Sequence, residues 1–525
     1  MNLVVHMSIV QSVKRNAQIR GRQTATIFGE RSRTWLEFRE RVARLAGGLK
    51  ALGVGPNDRV AILALNSDRY LEAYVAVPWA GGAVVPLNIR WSEIENAYAL
   101  NDSDATVLFV DDAFLKQAGA LKQQVGSLHA IVHMADTAPP AGLVGHEAVI
   151  ECHPPLMDAG RGGEDLAGIF YTGGTTGFPK GVMLAHRGLW ASAIAWLAEN
   201  EPVANSVLLH AAPMFHLADG AMINGGSIVG ATHAVIPSFT PEGVLQAIER
   251  YKVTELLLVP TMIGRLVAHP MIAETDVSSL KRLNYGGSVI PEAVLARAIK
   301  AFPGCKLTQA YGQTELSPVA TLLGPEYHVL EGPNAGRLTS AGRPAACNEL
   351  EIVDPNDNEL PRGAVGEIRC RGPNAMLGYW NKPQETAAAL RDGWVYTGDA
   401  GFMDEDGFVT IVDRIKDMIV TGGENVFSAE VENAVFDYSA VAQCAVVGVP
   451  SEEWGEAVHA IVILKEGHNA TAEEIIAHCR TRIAGYKCPR SVEFRSEPFP
   501  LSGAGKVLKR ELRAPYWESQ RRQVG

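Results

Sequence analysis

Apolar residues recur along the chain at two different spacings, which predict helices and strands in alternation. From Thr34 the sequence runs TWLEFRERVARLAGGLKALG, and its apolar positions fall at intervals of four and three, at Phe38, Val42, Leu45, Leu49 and Leu52. That spacing gives a helix one apolar face. Thr34 and Glu37 have the spacing of an N-terminal capping box, and Gly53 is a typical helix terminator. We therefore expect a helix between Thr34 and Gly53.

Short apolar runs and further amphipathic stretches follow, beginning with a helix around Tyr70–Trp79. The runs predicted as strands are RVAILAL, VVPLN, ATVLFVD, AIVHM, AGIFYT, SVLLHAA, HAVIP, ELLLVP and KLTQAYG. Apolar strands that alternate with helices are typical of parallel sheets covered on both faces. The pattern predicts an α/β fold, with a large N-terminal domain of doubly wound, mostly parallel sheets. Its ligand site should lie beyond the carboxyl ends of the strands.

The pattern changes past residue 340, where short segments are separated by turns such as DPNDNELPRGAVGEI and DEDGF. These turns predict a small β-rich subdomain over about 340–415. After DRIKD the segments AEVENAV, AQCAVVGV, AVHAIVIL, AEEIIAHCRTRI and SVEFR follow in order. They predict a small α+β C-terminal domain over 416–525, following an N-terminal domain over 1–415.

Size and charge narrow the class of protein. The 525 residues exceed the usual size of one hydrophobic core, and the net charge of −11 argues against nucleic acid as the main partner. No apolar run is long enough to span a bilayer, so no integral membrane segment is expected. The seven cysteines are scattered without a CxxC pair, which indicates a reducing compartment and no zinc site. The start of the chain does not resemble a signal peptide, so we expect a cytoplasmic protein.

The stretch YTGGTTGFPKGVML at residues 171–184 is a candidate phosphate-binding loop. Glycines let a backbone approach an anion, and threonine hydroxyls add hydrogen-bond donors. The loop is not a Walker motif, because Phe178 and Pro179 separate Gly177 from Lys180. A Gly/Thr turn between a strand and a helix explains this stretch alone at least equally well.

Six further motifs follow this loop in order: APMFH (212–216), NYGGSVIP (284–291), QAYGQTE (309–315), GWVYTGD (393–399), DRIKDMIVTGGENV (413–426) and LSGAGKVLKREL (501–512). The succession resembles the adenylate-forming superfamily, which contains acyl-CoA synthetases, firefly-type luciferases and the adenylation domains of peptide synthetases. The resemblance extends from about residue 20 to residue 515. It implies that ATP and Mg²⁺ serve to activate a small-molecule carboxylic acid as an acyl-adenylate, with release of pyrophosphate. Coenzyme A, as co-substrate, then takes the acyl group and AMP is released.

The resemblance also leaves alternatives open. Within the acyl-CoA synthetases, QAYGQTELSP is closer to fatty-acyl enzymes, so a fatty acid is the expected substrate and an aryl acid of the cinnamate or benzoate type is the alternative. An amino-acid adenylation domain usually has an aspartate beside the phenylalanine of the second motif, where this chain has His216. A luciferase-like enzyme shares every motif. An inert nucleotide-binding relative would be expected to lose Lys506 or Glu315. A homodimer is one oligomeric state that fits.

The resemblance implies a role in binding ATP for every motif except APMFH. Tyr311 would stack on adenine, Thr314 would donate to the α-phosphate, and Glu315 with Thr172 would hold Mg²⁺. Asp399 and Arg414 would bind the ribose. The implied nucleotide-binding residues are Thr172, Gly173, Gly174, Thr175, Thr176, Gly177, Lys180, Gly287, Ser288, Ala310, Tyr311, Gly312, Gln313, Thr314, Asp399, Arg414, Asn425 and Lys506. Taken alone, Tyr311 could be a core residue, Asp399 a turn residue and Arg414 a surface residue.

The remaining roles concern the acid, the thiol and the motion of the C-terminal lid. Lys506 would bridge the carboxylate and the α-phosphate, with Glu315, Thr314 and His216 as the other catalytic residues. The implied acyl pocket consists of His216, Leu217, Ala218, Asp219, Thr261 and Met262. Gly422, Gly423 and Lys487 would bind CoA, and the mobile lid would swing at Lys416. A structural His216 and a solvated Lys487 are the alternatives, and we expect Lys509 on a solvated surface.

Overall fold

The computed structural model describes residues 7–172, 179–200, 202–288, 290–501 and 507–521, with side chains throughout except at 425 and 519–521. The chain divides into two compact units. The first contains the residues up to Leu350 together with Cys370–Tyr396, and the second contains Glu351–Arg369 and the residues from Thr397 onward. The domain boundary placed at Lys416 from the sequence stays a prediction.

Two large sheets form the framework of the first unit. Within the described residues, one has nine strands, in the spatial order Arg343–Pro344, Thr321–Leu323, Lys306–Tyr311, Arg282–Gly286, Glu255–Leu258, Val207–His210, Thr232–Val235, Thr24–Phe28 and Arg31–Thr34. The other has eight, in the order Gly378–Tyr379, Lys180–Ala185, Leu166–Thr172, Ala83–Pro86, Arg59–Leu63, Val107–Val110, Ala130–His133 and Val144–Gly145. The inner strands of both sheets are parallel. Antiparallel strands lie at the edges near the candidate site.

Helices cover these sheets, and the α/β fold class predicted from the sequence is confirmed. Each of the nine apolar runs predicted as strands overlaps an observed strand. The helices of the first unit are Gln11–Ile19, Trp35–Ala51, Asp68–Trp79, Glu93–Asp102, Leu115–Gln124, His146–Cys152, His186–Asn200, Leu217–Val229, Pro241–Tyr251, Pro260–Val267, Glu292–Ala301 and Pro383–Ala389. The predicted capping box is present, since Glu37 N donates to Thr34 Oγ1 at 3.3 Å and Thr34 N donates to Glu37 Oε2 at 2.7 Å.

The second unit contains a separate α+β C-terminal domain. Its sheet has the order Glu424–Val426, Ile419–Thr421, Gly455–Leu464, Val441–Ser451, with Ser491–Phe494 parallel to Gly455–Leu464. Its helices are Ser428–Phe436, Ala472–Arg480 and Lys509–Arg521. The β-rich segment predicted past residue 340 contains the strands Glu349–Val353, Gly366–Arg371, Leu390–Arg391, Trp394–Met403 and Val409–Arg414.

Two global features bear on expectations from composition. Among the described residues, no helix combines the length and the apolarity needed to cross a membrane. All seven cysteines lie in the described ranges and are free thiols. The cytoplasmic location and the homodimer stay predictions.

A buried charge cluster fastens the helix Asp68–Trp79 to its neighbours. Glu72 is completely buried, and its carboxylate accepts from His146 Nε2 at 2.8 Å and Arg41 Nε at 2.5 Å. Arg33 Nε lies 3.2 Å from the same carboxylate. Burial alone would raise the pKa of Glu72, but the hydrogen bonds from His146 and Arg41 outweigh it and lower that pKa to about 2. Glu72 therefore stabilises the fold as an anion.

We predict that Glu72→Gln destabilises the first unit in a pH-dependent way. The pKa of Glu72 is lower in the folded state than the ordinary 4.5, so its stabilisation is present above pH 4.5 and is lost as pH falls toward 2. At pH 7 the free energy of unfolding should drop by about 3 kcal/mol, and the difference should shrink below pH 4. Urea unfolding of the wild type and the variant at pH 7, 5 and 3 measures this difference in the free energy of unfolding.

The control is Glu40→Gln, which removes an exposed pair with Arg44 in the same region. Its effect should stay within about 0.5 kcal/mol. A loss for Glu72→Gln that is the same at every pH would show that the charge of Glu72 does not carry the stabilisation.

Candidate active site

The Gly/Thr loop connects two antiparallel strands of the eight-stranded sheet. Leu166–Thr172 leads into it and Lys180–Ala185 leads out, and Thr172 lies opposite Lys180 in the register. The hairpin thus holds the two ends of the loop together, with Thr172 Oγ1 3.5 Å from the carbonyl oxygen of Lys180. Gly173, Gly174, Thr175, Thr176 and Gly177 lie outside the described residues. The expectation that this stretch leads from a strand to a helix is wrong, because the element that follows it is the strand Lys180–Ala185. The hairpin places a cation and a hydroxyl at the base of the loop.

Lys180 and Glu315, which come from separate motifs, meet at one aromatic ring. Tyr379 Oη donates to Glu315 Oε1 at 2.7 Å, and Lys180 Nζ lies 4.1 Å from the centroid of the Tyr379 ring. Tyr379 and Glu315 are 6% and 8% exposed, so both interactions are largely shielded from water. Sequence reasoning missed Tyr379, because an aromatic residue in MLGYW is indistinguishable from a core residue until its partners are known.

Two parallel strands bring the motifs NYGGSVIP and QAYGQTE side by side. Arg282–Gly286 pairs with Lys306–Tyr311, with Gly286 opposite Ala310. A Cβ atom at Gly286 would lie 2.2 Å from the Ala310 carbonyl oxygen, and Gly287 has a φ of +83°. The close approach of the two backbones at Gly286 and the positive φ at Gly287 therefore both favour glycine.

The residues after these strands surround a partly open edge. Gly287 and Ser288 are exposed, whereas Ala310, Tyr311, Gly312, Gln313 and Thr314 are all half-buried. Glu315 follows within the short 3-10 helix Thr314–Leu316, where it turns inward to Tyr379. The edge lies at the carboxyl ends of parallel strands, as expected from the fold class.

His216 is the N-cap of the helix Leu217–Val229. Its Nδ1 accepts a hydrogen bond from Ala218 N at 3.3 Å, which is a capping role. His216 and Ala218 are half-buried, while Leu217 is packed in the core. Asp219 is fully buried and bound to His210 Nδ1 at 2.8 Å. In the helix Pro260–Val267, Thr261 is exposed and Met262 is half-buried.

In the second unit Asp399 and Arg414 form an ion pair. They lie opposite each other on the antiparallel strands Trp394–Met403 and Val409–Arg414, and Arg414 Nε is 2.6 Å from Asp399 Oδ1. Asp399 is 4% exposed, and Thr397 Oγ1 accepts from its backbone N–H at 3.1 Å. The sequence predicted these two residues as a pair, and the fold brings them together.

The TGGEN stretch is a two-residue hairpin. Gly422 and Gly423 have φ values of +61° and +86°, which favour glycine at both positions. Gly422 N donates to the Trp454 carbonyl oxygen at 2.9 Å, and a Cβ atom at Gly422 would lie 2.7 Å from the Trp454 ring. No atom of the residues that the structure describes lies within 4 Å of a Cβ atom built at Gly423. Trp454 is a second residue that sequence reasoning missed, and the only sign of it in the sequence is Gly422, against which its ring packs.

Four further residues of the second unit were predicted to bind nucleotide or CoA or to form the hinge: Lys416, Asn425, Lys487 and Lys506. Lys416 is exposed in the short turn Ile415–Asp417. Lys487 Nζ lies 2.8 Å from Glu430, and the hydrogen bond to Glu430 raises the pKa of Lys487. The backbone of Asn425 pairs with Val420, and its side chain lies outside the description. Lys506 also lies outside the described residues.

The expectation that Lys509 lies on a solvated surface is wrong. Its Nζ donates to Ser428 Oγ at 2.6 Å and lies 2.8 Å from Glu432 Oε1, and its side chain is 19% exposed. Ser428 in turn donates to the Asp413 carboxylate at 2.6 Å. Burial alone would lower the pKa of Lys509, but the carboxylates of Glu432 and Asp413 outweigh it and raise that pKa. The helix Ser428–Phe436 is remote in sequence, so the spacing around Lys509 could not reveal these partners.

The two residues predicted to hold the metal have the chemistry that suits a magnesium ion. Glu315 offers a carboxylate and Thr172 a hydroxyl, and hard oxygen ligands of this kind suit Mg²⁺. The described residues contain no group of three or more His, Cys, Asp or Glu arranged to hold a metal. A cation at Glu315 would therefore take further ligands from phosphate and water.

Comparison with known proteins then identifies the class. The model of the AMP-binding enzyme family matches residues 13–380, and that of the AMP-binding enzyme C-terminal domain matches residues 430–506. A feruloyl-CoA synthase of an Amycolatopsis species is 39% identical over 500 residues, which is 95% of this chain and 97% of that protein. A medium/long-chain-fatty-acid–CoA ligase of Mycobacterium tuberculosis is 37% identical over 514 residues, which is 95% of this chain and 88% of that protein. The crystal structure of an anthranilate CoA ligase with anthranoyl-AMP has a TM-score of 0.91 at 27% identity, over 99% of both chains.

The fold and these matches define an adenylate-forming enzyme. The chain belongs to the AMP-binding enzyme family, and it is an AMP-forming acid–CoA ligase that uses ATP and coenzyme A. The resemblance inferred from the seven motifs is confirmed.

We predict that Lys509→Ala destabilises the second unit. The substitution leaves Glu432 without its cation in a largely buried place, so we expect a loss of about 1–3 kcal/mol in the free energy of unfolding. Urea unfolding of the full chain measures it. Lys465→Ala is the control, because Lys465 is exposed and its Nζ donates to the Ser439 carbonyl oxygen and not to a carboxylate among the described residues. Equal stability of the two variants would show that the contacts of Lys509 with Ser428 and Glu432 do not stabilise the second unit.

Proposed function

We propose that this ligase activates a hydrophobic monocarboxylic acid, and that the acid is a fatty acid, as the sequence predicts. The observation that supports the site is the meeting of Lys180 and Glu315 at the Tyr379 ring, because it joins a candidate phosphate ligand to a candidate metal ligand. The relative that acts on medium- and long-chain fatty acids supports the choice of substrate.

The chemistry requires two anions to meet. A carboxylate oxygen attacks the α-phosphorus of ATP, and the bond to pyrophosphate breaks. We assign Lys180 and the loop to the β- and γ-phosphates, Thr314 to the α-phosphate and Lys506 to the approaching carboxylate, so that positive charge and donors offset the repulsion. A bound Mg²⁺ would add positive charge beside the phosphates, held by Glu315 and Thr172.

Nucleoside binding and thioester formation involve further groups. We assign Tyr311, with Gly287 and Ser288, to the adenine ring and the Asp399–Arg414 pair to the ribose hydroxyls. In the second step the thiol sulfur of CoA attacks the acyl carbon, and the bond to AMP breaks. The open space at Gly423 suits the thiol arm of CoA. A rotation of the C-terminal lid at Lys416 would switch the enzyme from adenylate formation to thioester formation.

An aryl acid is the second candidate, and specific observations favour it. The feruloyl-CoA synthase is 39% identical, and the anthranilate CoA ligase has a TM-score of 0.91. His216 and Ala218 are the half-buried residues at the start of the helix Leu217–Val229, and the small Ala218 leaves room for either a chain or a ring.

A panel of acids tests the function. Fatty acids of short, medium and long chain, together with cinnamates, benzoates and indole acetic acid, should be assayed for CoA-dependent formation of AMP. We expect AMP and an acyl-CoA, with the highest kcat/KM for fatty acids. A preference for cinnamates or benzoates would replace the fatty acid by the second candidate. Formation of ADP, or no turnover with any acid, would contradict the proposed reaction.

Lys506→Ala separates the two half-reactions. Loss of its charge should slow adenylate formation at least about a hundredfold, because charge stabilisation at the reacting phosphate is worth several kcal/mol. Thioester formation from a synthetic acyl-adenylate and CoA should remain near the wild-type rate. Pyrophosphate release measures the first step and acyl-CoA formation the second. Lys465→Ala is the control and should affect neither step.

Equal losses in both half-reactions of Lys506→Ala would contradict the proposed exchange at Lys416. No loss in either would show that Lys506 has no part in catalysis.

A further inference from the structure

Tyr379 contacts both charged groups of the candidate phosphate site. Its hydroxyl donates to Glu315 Oε1 at 2.7 Å, and its ring face lies 4.1 Å from Lys180 Nζ. A hydroxyl bond to a carboxylate is a charge-assisted hydrogen bond, and an aromatic face attracts a cation. One side chain therefore restrains an anion and a cation that belong to motifs far apart in the sequence.

The position of Tyr379 is itself fixed by its backbone. Gly378 and Tyr379 pair with Met183 and Val182, and Trp380 N donates to the Gly181 carbonyl oxygen at 2.7 Å. On the other side, Tyr379 N donates to Thr386 Oγ1 at 2.8 Å. The ring is thus anchored to the strand that begins at Lys180, so its place relative to Lys180 is set before any ligand binds.

The bond to Tyr379 also orients the carboxylate. Glu315 Oε1 accepts from the hydroxyl, which fixes the orientation of the carboxylate and leaves Oε2 as the oxygen that a cation could bind. The backbone of Glu315 is held as well, because Met376 N donates to its carbonyl oxygen at 2.9 Å. Partners that orient a metal-binding carboxylate commonly change metal affinity or activity by about 10- to 100-fold when they are removed.

We propose that Tyr379 is a positioning residue of the adenylation step: its hydroxyl sets Glu315 for Mg²⁺, and its ring sets Lys180 for the phosphates. Tyr379 does not touch the reacting atoms. The proposal rests on the proposed function, since it takes Glu315 and Lys180 as ligands of the metal and the phosphates.

The test separates the hydroxyl from the ring. Tyr379→Phe removes the bond to Glu315 and keeps the ring face for Lys180. We expect adenylate formation to fall about 10- to 100-fold and the Mg²⁺ concentration for half-maximal rate to rise by a similar factor, with a nearly unchanged KM for ATP. Tyr379→Leu removes both interactions and should also raise the KM for ATP. Neither variant should slow thioester formation from a synthetic acyl-adenylate.

A readout without turnover complements the kinetics. With a saturating α,β-methylene analogue of ATP, Mg²⁺ should raise the melting temperature of the wild type, and Tyr379→Phe should need a higher Mg²⁺ concentration for the same rise. Adding Tyr379→Phe to Glu315→Gln should cause little further loss, because both changes remove one interaction. Tyr516→Phe is the control: it removes a tyrosine–glutamate hydrogen bond, to Glu493, in the second unit, together with the hydrogen bond between the Tyr516 hydroxyl and His459 Nε2.

The outcomes are distinct. If the wild type forms AMP and Tyr379→Phe keeps the wild-type Mg²⁺ dependence in both assays, Tyr379 is a core residue and this proposal is overturned. Equal losses in both half-reactions, or additive losses in the double variant, would likewise overturn it. If the wild type forms no AMP with any acid, the proposed function itself is contradicted, and the role of Tyr379 that rests on it is overturned as well.

Discussion

The candidate site depends on the pairing of the short strand Gly378–Tyr379 with the strand that begins at Lys180. Because side chains alternate across a strand, a slip of one residue would turn Tyr379 to the opposite face and separate it from Lys180 and Glu315. Tyr379 and Glu315 are 64 residues apart, and the loop between them must close before they can meet. The site is therefore a product of the completed sheet, and no local segment could form it alone.

Local patterns predicted much of the fold because they report local physics. The capping box at Thr34 and Glu37 was predicted from a spacing of three, since both partners lie in one turn. The nine buried strands were predicted from their apolar runs, because a strand covered on both faces has no polar alternation. The division of these strands between two sheets was not predictable in this way, since the order of strands is set by contacts remote in sequence.

The candidate site shows the same difference between features that the sequence predicts and features that depend on contacts remote in sequence. The resemblance implied site roles for Lys180, Glu315, Asp399 and Arg414, and the fold pairs the last two directly. It missed Tyr379, and it placed Lys509 in solvent although Lys509 binds Ser428, 81 residues earlier. Both errors concern a side chain whose partner lies on another element. Sequence patterns describe the surroundings of such a residue along the chain, whereas its burial and its charge state depend on neighbours in space.

The two cationic sites differ in a way that matches the ligands proposed for them. Arg414 faces the Asp399 carboxylate at 2.6 Å, so that pair is close to neutral and suits sugar hydroxyls, which need both a donor and an acceptor. Lys180 faces an aromatic ring, which attracts a cation through its quadrupole without cancelling the charge. The full charge of Lys180 is then available to a phosphate. On a chain with a net charge of −11, such a local positive charge is what the proposed binding of an anionic nucleotide requires.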